Sequence, residues 1–479
     1  MDLHVTLDGR SSLSVQVYRQ ILEAVLDGRL RAGERLPPTR ELARRLEVAR
    51  NTVALAYERL IGEGVLRGRV GAGTYVAGEP VRSAPGHRAP SDAAVCPRGV
   101  WSTVPALWRT AARAEARFDF RAGSPDPALF PFTAWRRLVA RELRPARFRV
   151  SAYADPAGDP RLRAAIARHV GLSRGVRAGV DDVIVTQGAQ QALDLVGRVL
   201  LAPGASVAVE EPGYPPARHL FRSLGARVVA VPVDEQGLVV RAIPRSARLV
   251  YVTPSHQFPL GMPMSLPRRT ALLAWAERRG GIVVEDDYDS EFRFEGRPLD
   301  PIQSLDRGGR VVYVGSFSKV MLPALRLGFL IAPASLQDAL RRAKALTDWH
   351  GEPATQAALA RFIDDGLLAR HVRKAAREYA VRRQGILDAL HRDFGAWLRP
   401  VTSAAGLHVS ARQAPGVRIA PDEVVRRAEA LGVLLRPLSY FCAGVPDSDG
   451  LVLGYGAIPT SRIGEGLQRL AVCFAGRER

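Results

Sequence analysis

One lysine in an arginine-rich chain is the residue best placed to do chemistry. Of 68 lysines and arginines, only Lys319, Lys344 and Lys374 are lysine. Lys319 comes soon after the apolar run Val311-Val312-Tyr313-Val314 and Gly315, next to Ser316 and Ser318, and Arg326 follows seven residues later. An amine that forms a Schiff base must shed its proton at modest cost, which an ammonium can do and a guanidinium cannot. Two hydroxyls and a fixed charged fork suit a phosphate. The combination points to pyridoxal phosphate (PLP) held through its aldehyde on Lys319. The bland alternative is a surface lysine, but Lys319 follows a strand-like run rather than sitting on a polar helix face.

The elements that would position these groups repeat along the chain. From about Phe118, apolar runs at 182–185, 206–209, 227–231, 249–252, 281–284 and 311–314 alternate with helical stretches. That alternation predicts a largely parallel sheet covered by helices, with ligands beyond the carboxyl ends of the strands. The residues that follow each run are therefore candidates. Thr186-Gln187-Gly188-Ala189-Gln190 is a glycine turn entering a helix, whose free N–H groups suit a phosphate, although sterics alone also favour such a turn. Glu210-Glu211-Pro212-Gly213-Tyr214 offers an aromatic ring to a flat cofactor; a core tyrosine is the alternative. Glu285-Asp286-Asp287-Tyr288-Asp289 offers a carboxylate to keep a pyridine nitrogen protonated and a phenol for the ring oxygen. A divalent-metal site is the competing reading of that acidic cluster. It leaves Lys319 and Arg326 unexplained, so no metal is expected.

The 479 residues are enough for several domains, and 47% hydrophobic with 24% charged residues is ordinary globular composition. No apolar run approaches the ~18 residues of a membrane span. Met1-Asp2-Leu3-His4-Val5 has neither the basic start nor the apolar core of a secretory signal. Cys96, Cys442 and Cys473 are widely spaced and odd in number, which suggests reduced thiols in a cytoplasmic protein. A net charge of +20 favours contact with a polyanion. Arg-rich coding bias would raise charge everywhere, so that claim rests on where a DNA-reading motif places it.

Residues 14–28 carry Val17, Ile21, Leu22 and Val25 at helical spacing, stopping at Gly28. After a turn-rich connector, Thr39 is expected to cap a helix over 40–46 with Leu42, Ala43 and Leu46 inward. Ala49-Arg50-Asn51-Thr52 then opens a third helix with Val53, Tyr57, Leu60 and Ile61 on one face, stopped by Gly64. Two helices across a short turn, the second opening on Arg-Asn-Thr, predict a helix-turn-helix whose second helix reaches base edges. Two short strands around Gly71-Ala72-Gly73 predict a hairpin wing. From Ala77 to about Arg117 the composition shifts to Pro, Ala, Ser and Arg, a semi-stiff basic linker in which Trp101 and Trp108 suggest docking of its second half.

Over roughly residues 11–78 this resembles the winged helix of the GntR superfamily. The matching motifs are Leu36-Pro37-Pro38-Thr39-Arg40-Glu41-Leu42-Ala43, Val48-Ala49-Arg50-Asn51-Thr52-Val53 and Gly71-Ala72-Gly73-Thr74-Tyr75-Val76. The resemblance implies DNA contacts at Arg40, Arg50, Asn51, Thr52 and the wing residue Gly71. Ala54 stands where some relatives carry another DNA-contacting arginine. Residues 79–117 would be the linker. Residues 118–475 resemble the fold-type-I aminotransferases, with a large part at about 150–345 and a smaller one at about 355–475. That resemblance implies Lys319 as the Schiff-base lysine, Asp286 on the pyridine nitrogen, Tyr288 on the phenolic oxygen and Tyr214 stacked on the ring. Gly188, Ala189, Gln190, Ser316, Ser318 and Arg326 would hold the phosphate, and Tyr153 would reach the phosphate of a second subunit.

Two departures stand out. Where many aminotransferases have Asn-Pro-x-Gly this chain has Phe258-Pro259-Leu260-Gly261, with His256 and Gln257 as possible substitutes. Where many carry a carboxylate-clamping arginine it has Val452, with Arg436 and Arg218 as candidate replacements. The two halves together resemble the MocR family of bacterial regulators, which implies a multidomain protein: an α+β winged helix followed by an α/β, PLP-binding aminotransferase-like domain. It further implies a head-to-tail, domain-swapped homodimer that binds double-stranded operator DNA in response to PLP, alone or with an amino compound. The absent arginine points towards relatives that respond to the cofactor itself and govern its synthesis, with vestigial or partial transamination. The rival expectations are a working aminotransferase carrying a DNA-binding module, and a DNA-binding protein whose second domain only dimerises.

Overall fold

The computed structural model describes residues 5–7, 12–69, 71–78, 96–106, 117–144, 153–296, 299–444 and 449–475. The chain divides into two compact units, Met1–Pro97 and Arg98–Arg479. Most of the expected linker, Trp108 included, lies outside the described residues.

In the first unit, helices α1 (Leu13–Leu26), α2 (Thr39–Arg45) and α3 (Arg50–Gly62) precede the antiparallel hairpin β1 (Leu66–Arg69) and β2 (Gly73–Val76). Val17, Ile21, Val25, Leu42, Val53 and Leu60 are buried in one core. Apolar residues three and four apart on each helix explain that packing. Two details differ from expectation. Thr39 is the first residue of α2 rather than its cap, because Pro38 stands at the cap and offers no side-chain acceptor. Ile61 is 40% exposed, and Ala56 fills the inward face of α3.

The second unit opens with the one-turn helix α4 (Val100–Thr103), strand β3 (Phe118–Asp119) and helices α5 (Phe132–Glu142) and α6 (Pro160–Arg174). Next come β4 (Val183–Thr186), α7 (Ala189–Leu200), β5 (Ser206–Glu211), α8 (Pro215–Ser223), β6 (Arg227–Asp234) and β7 (Gly237–Leu238). They continue with β8 (Ala247–Val252), α9 (Leu266–Arg279), β9 (Ile282–Asp287), α10 (Ile302–Leu305), β10 (Val311–Ser316) and β11 (Gly328–Ile331). These strands form one sheet in the order β4-β11-β10-β9-β8-β5-β6-β7. All six apolar runs are in it. Neighbours from β10 through β9, β8 and β5 to β6 are parallel, while β11 inserts antiparallel between β10 and β4.

Helices α11 (Ala334–Thr347), α12 (Pro353–Asp364) and α13 (Leu367–Asp393) lead to a smaller lobe. It contains β12 (Leu398–Pro400), β13 (His408–Gln413), α14 (Pro421–Ala430), β14 (Val433–Leu434), β15 (Arg436–Pro437), β16 (Gly450–Gly454) and α15 (Thr460–Phe474). Its sheet runs β12-β13-β16-β15. Strand β3 pairs with β14, so the start of this unit packs with its end. Trp101 on α4 is half exposed, and Arg98 just before it donates to the Ser223 carbonyl at the end of α8 at 3.0 Å.

Candidate functional site

Beyond the carboxyl ends of the central strands, facing β13, lies a cavity of about 320 Å³. Lys319 reaches into it from the turn after β10, and its Nζ donates to the Gly123 carbonyl at 2.5 Å. Burial pushes the Lys319 ammonium pKa down against the pull of Asp289 and Asp286, and Arg326 pushes it further down. A cheaply deprotonated amine is what a nucleophile requires. Gly123 has φ +99°, and a Cβ there would lie 3.1 Å from Lys319 Nζ. The close approach needs a glycine.

Asp286 lines the same cavity from the end of β9. Tyr251 donates its hydroxyl to Asp286 Oδ2 at 2.7 Å, whereas the buried Oδ1 has no hydrogen-bond partner among the described residues. Burial raises this carboxyl to about 7, with the Tyr251 bond opposing. Tyr214 caps α8 and meets Phe258 edge-on at 5.7 Å, with its phenol pKa raised by burial. Tyr288 lies 5.7 Å from the Phe258 ring and is tied back to His256, 2.9 Å from Nδ1 and donating to the backbone carbonyl at 3.0 Å.

The phosphate-type residues converge as well. Gly188 has φ +77° and precedes the first turn of α7, where Ala189 and Gln190 carry amides with no helical acceptor. Ser316 Oγ accepts from the Ser318 amide at 3.1 Å. Arg326, itself in the left-handed region at φ +51°, donates to the Gln187 carbonyl at 2.6 Å. Ala189, Gln190, Ser316, Ser318 and Arg326 all line the cavity, and a Cβ on Gly188 would lie 3.1 Å from the Arg326 guanidinium.

The acidic run, whose Glu285, Asp286 and Asp287 end β9, does not gather on one ion, because strand alternation sends neighbouring side chains to opposite faces. Glu285 accepts from the Ile302 and Gln303 amides at 2.9 Å each, and Asp287 pairs with Arg174 at 2.8 Å and Tyr313 at 2.6 Å. His256, Asp289 and His408 do offer three ligand atoms within 4.8 Å. Both nitrogens of His256 are already engaged, Nδ1 with Asp289 at 3.1 Å and Nε2 with Ser403 at 3.0 Å, and His408 Nε2 is engaged with the Pro259 carbonyl at 2.8 Å.

Several expectations need correction. His256 and Gln257 do not line the cavity; His256 supports Tyr288 from behind, Gln257 bonds the Pro212 and Phe258 carbonyls, and Phe258 is the residue at the wall. Arg218 turns to the Phe441 carbonyl and Arg436 lies over the Tyr440 ring, so neither takes the place of a clamp at Val452. The expectation for Tyr153 concerns a second copy of the chain and is not among these: the residue is 80% exposed against Trp349, and Ser151 and Ala152 before it lie outside the described residues. The cavity also contains residues given no role from sequence: Gly123, Ser124, Tyr251, Thr253, Leu407 and His408. Tyr251 and Thr253 sit beside the end of β8, where the carboxyl-end rule points; His408 comes from the small lobe, for which no strand was expected.

In the first unit, Arg40 on α2 and Arg50 and Asn51 at the start of α3 are exposed, Thr52 is half-buried, and Arg50 Nε lies 3.4 Å from Thr39 Oγ1. Gly71, exposed at φ +74°, sits at the hairpin turn. Charge thus faces solvent where a second helix would enter a groove.

The first unit matches the family described as "Bacterial regulatory proteins, gntR family" over residues 13–76. The second matches "Aminotransferase class I and II" over residues 121–415. A DNA-binding domain is thereby joined to an aminotransferase domain. Among similar proteins, the "Probable rhizopine catabolism regulatory protein MocR" of Rhizobium meliloti is 39% identical over 97% of this chain and 94% of its own. The "HTH-type pyridoxine biosynthesis transcriptional regulator PdxR" of Corynebacterium glutamicum is 34% identical over 95% of both. Kynurenine aminotransferase of Pyrococcus horikoshii, solved with PMP, superposes with a TM-score of 0.73 at 27% identity, covering 80% of this chain and 98% of that one. LysN, an alpha-aminoadipate aminotransferase of Thermus thermophilus, gives 0.68 at 31% identity over 78% and 98%. The chain belongs to the MocR family of DNA-binding transcription regulators. No helix among the described residues is long and apolar enough to cross a membrane.

Proposed function

We propose that this regulator holds PLP in its second unit and that its affinity for operator DNA depends on what occupies that site. One observation carries the reading: Lys319 and Asp286, whose buried Oδ1 has no described partner, line the same cavity. The residues fit the cofactor. Lys319 supplies the amine, Asp286 Oδ1 accepts a ring N–H, Tyr214 covers the ring and Tyr288 turns its phenol edge to the ring oxygen. Gly188, Ala189, Gln190, Ser316, Ser318 and Arg326 form an anion cradle of amides, hydroxyls and one guanidinium. When bound, the cofactor supplies an aldehyde carbon for amines and a ring that withdraws electrons. Asp286 keeps that ring protonated, which also relieves a carboxylate otherwise buried without a charge partner.

Arg40, Arg50, Asn51 and Thr52 enter the major groove, and the Gly71 hairpin lies along the adjacent backbone. The regulator acts in the cytoplasm as a head-to-tail, domain-swapped homodimer, in which exposed Tyr153 serves the phosphate of the other copy. Its effector is PLP, alone or with an amino compound; in the cofactor-only case it would control vitamin B6 metabolism. An effector regulates only if it binds the DNA-competent and incompetent forms with different free energies. Amino-acid turnover is disfavoured, since Val452 is fully buried and Lys319 and Arg326 are the cations among the described cavity residues.

The test is binding to a duplex carrying the region upstream of the protein's own gene, with and without PLP. A change of about tenfold or more in affinity, absent in Lys319→Ala, supports the reading. Equal affinities in all four combinations contradict it.

A further inference from the structure

We propose that the amine sharing this cavity with the cofactor is an amino alcohol rather than an α-amino acid, selected by His408 and Asp289. The inference rests on the cofactor reading and deepens it. An α-carboxylate drawn into a dry site needs a cation. At the position where a clamp would stand, β16 presents Val452, packed with Leu260, Met262, Leu438 and Phe441. Arg326 belongs to the phosphate cradle and Lys319 to the reacting carbon, so neither is free for it.

The groups on that side of the cavity are acceptors. His408 lines it from the start of β13, and its Nε2 donates to the Pro259 carbonyl at 2.8 Å. A carbonyl only accepts, so Nε2 carries the proton and Nδ1 carries the lone pair. No described group donates to Nδ1. Burial, reinforced by His256, pushes the His408 pKa down to about 3 and keeps the ring neutral. Asp289 lines the cavity with both carboxylate oxygens 3.1 Å from His256 Nδ1, and it pulls on the Lys319 ammonium more strongly than Asp286 does. With Asp286 turned to the ring and Arg326 to the phosphate, Asp289, paired with His256 at 3.1 Å, is the remaining carboxylate at the wall. A carboxylate would meet repulsion there, while a hydroxyl finds two acceptors.

The chemistry balances without a redox partner. The incoming ammonium forms a carbon–nitrogen double bond as the protonated imine at Lys319 gives one up, and the two protons that the incoming nitrogen sheds pass to Lys319 Nζ, which leaves as an ammonium. Asp289 then faces a lysine ammonium.

Serinol and serine separate the two classes, since one hydroxymethyl group of the first is a carboxylate in the second. Full-length protein loaded with PLP is titrated with each, following the visible absorbance band and, independently, the unfolding midpoint. Serinol should shift both at concentrations at least about tenfold below those of serine, the scale of one charged contact. Asp289→Asn should narrow that ratio several-fold; if the variant does not fold, the ratio in the unchanged chain still decides. Serine matching or surpassing serinol, or a band that neither perturbs, overturns the inference. A preparation that never develops the band sinks the cofactor reading itself, which is a distinguishable failure and takes this inference with it.

Discussion

Tyr251 donates to one oxygen of Asp286 at 2.7 Å and leaves the other, equally buried, with no described partner. The folded protein therefore holds a carboxyl whose pKa is raised from 3.8 to about 7, with burial as the main cause. A group raised on folding contributes stability that is fully present below its unfolded value and lost as pH rises through its folded one. Cofactor-free protein should thus lose stability from about pH 4 to pH 7, and Asp286→Asn should make that slope shallower. It should not flatten it, since Glu210 and Glu285 are also raised to about 7. At pH 8 the asparagine variant should be more stable without cofactor by on the order of 2 kcal/mol, a typical cost of an unpaired buried polar group. It should also retain PLP less well. Urea unfolding at pH 5 and pH 8 measures the first effect, and dialysis followed by absorbance the second.

The anion cradle gives a second prediction. Gly188 needs φ +77°, and a Cβ on it would meet the Arg326 guanidinium at 3.1 Å. Gly188→Ala should cost roughly 1 kcal/mol of stability through backbone strain alone. It should weaken PLP binding by more than that strain accounts for, because the displaced group is the one positive charge of the cradle. Comparing PLP with pyridoxal isolates the effect: the variant should lose affinity for the phosphate form and little for the other.

On the DNA side, Arg50→Ala should lower affinity for every sequence and reduce the dependence of log K on log salt by about 1 if Arg50 meets a phosphate. Asn51→Ala should cost about 1–3 kcal/mol on the preferred operator and much less on unrelated DNA, as expected of a base-reading side chain. Binding isotherms at two salt concentrations on operator and scrambled duplexes read both effects.

How much of this was legible in the sequence depends on how local each signal is. The apolar runs that became β5, β8, β9 and β10 were legible because a buried strand paired in parallel is a continuous apolar stretch, visible without knowing its neighbours. Strand β11 escaped because Gly328-Phe329-Leu330-Ile331 is a four-residue stretch that follows the Arg326 turn directly and pairs antiparallel with both β10 and β4, against the parallel order that the alternation of runs and helices predicts. The small lobe was expected at about 355–475, but its sheet escaped for a related reason: β12, β14 and β15 are two or three residues long and carry little periodicity. With it went His408, which reaches the cavity only through the meeting of the two lobes. Lys319 and Tyr214 could be placed because they follow strand ends, Asp286 because it stands in the last two residues of a strand, and Arg326 because it closes the turn after β10; topology gathers ligand contacts there. The roles offered to His256, Gln257, Arg218 and Arg436 failed because residue type says nothing about where a side chain turns.

The central claim concerns one nitrogen. Full-length protein incubated with PLP and reduced with borohydride should carry one cofactor per chain, on the peptide containing Lys319, and Lys319→Ala should carry none after identical treatment. Label spread over Lys344 and Lys374, label persisting in Lys319→Ala, or no label in the unchanged chain would contradict the account.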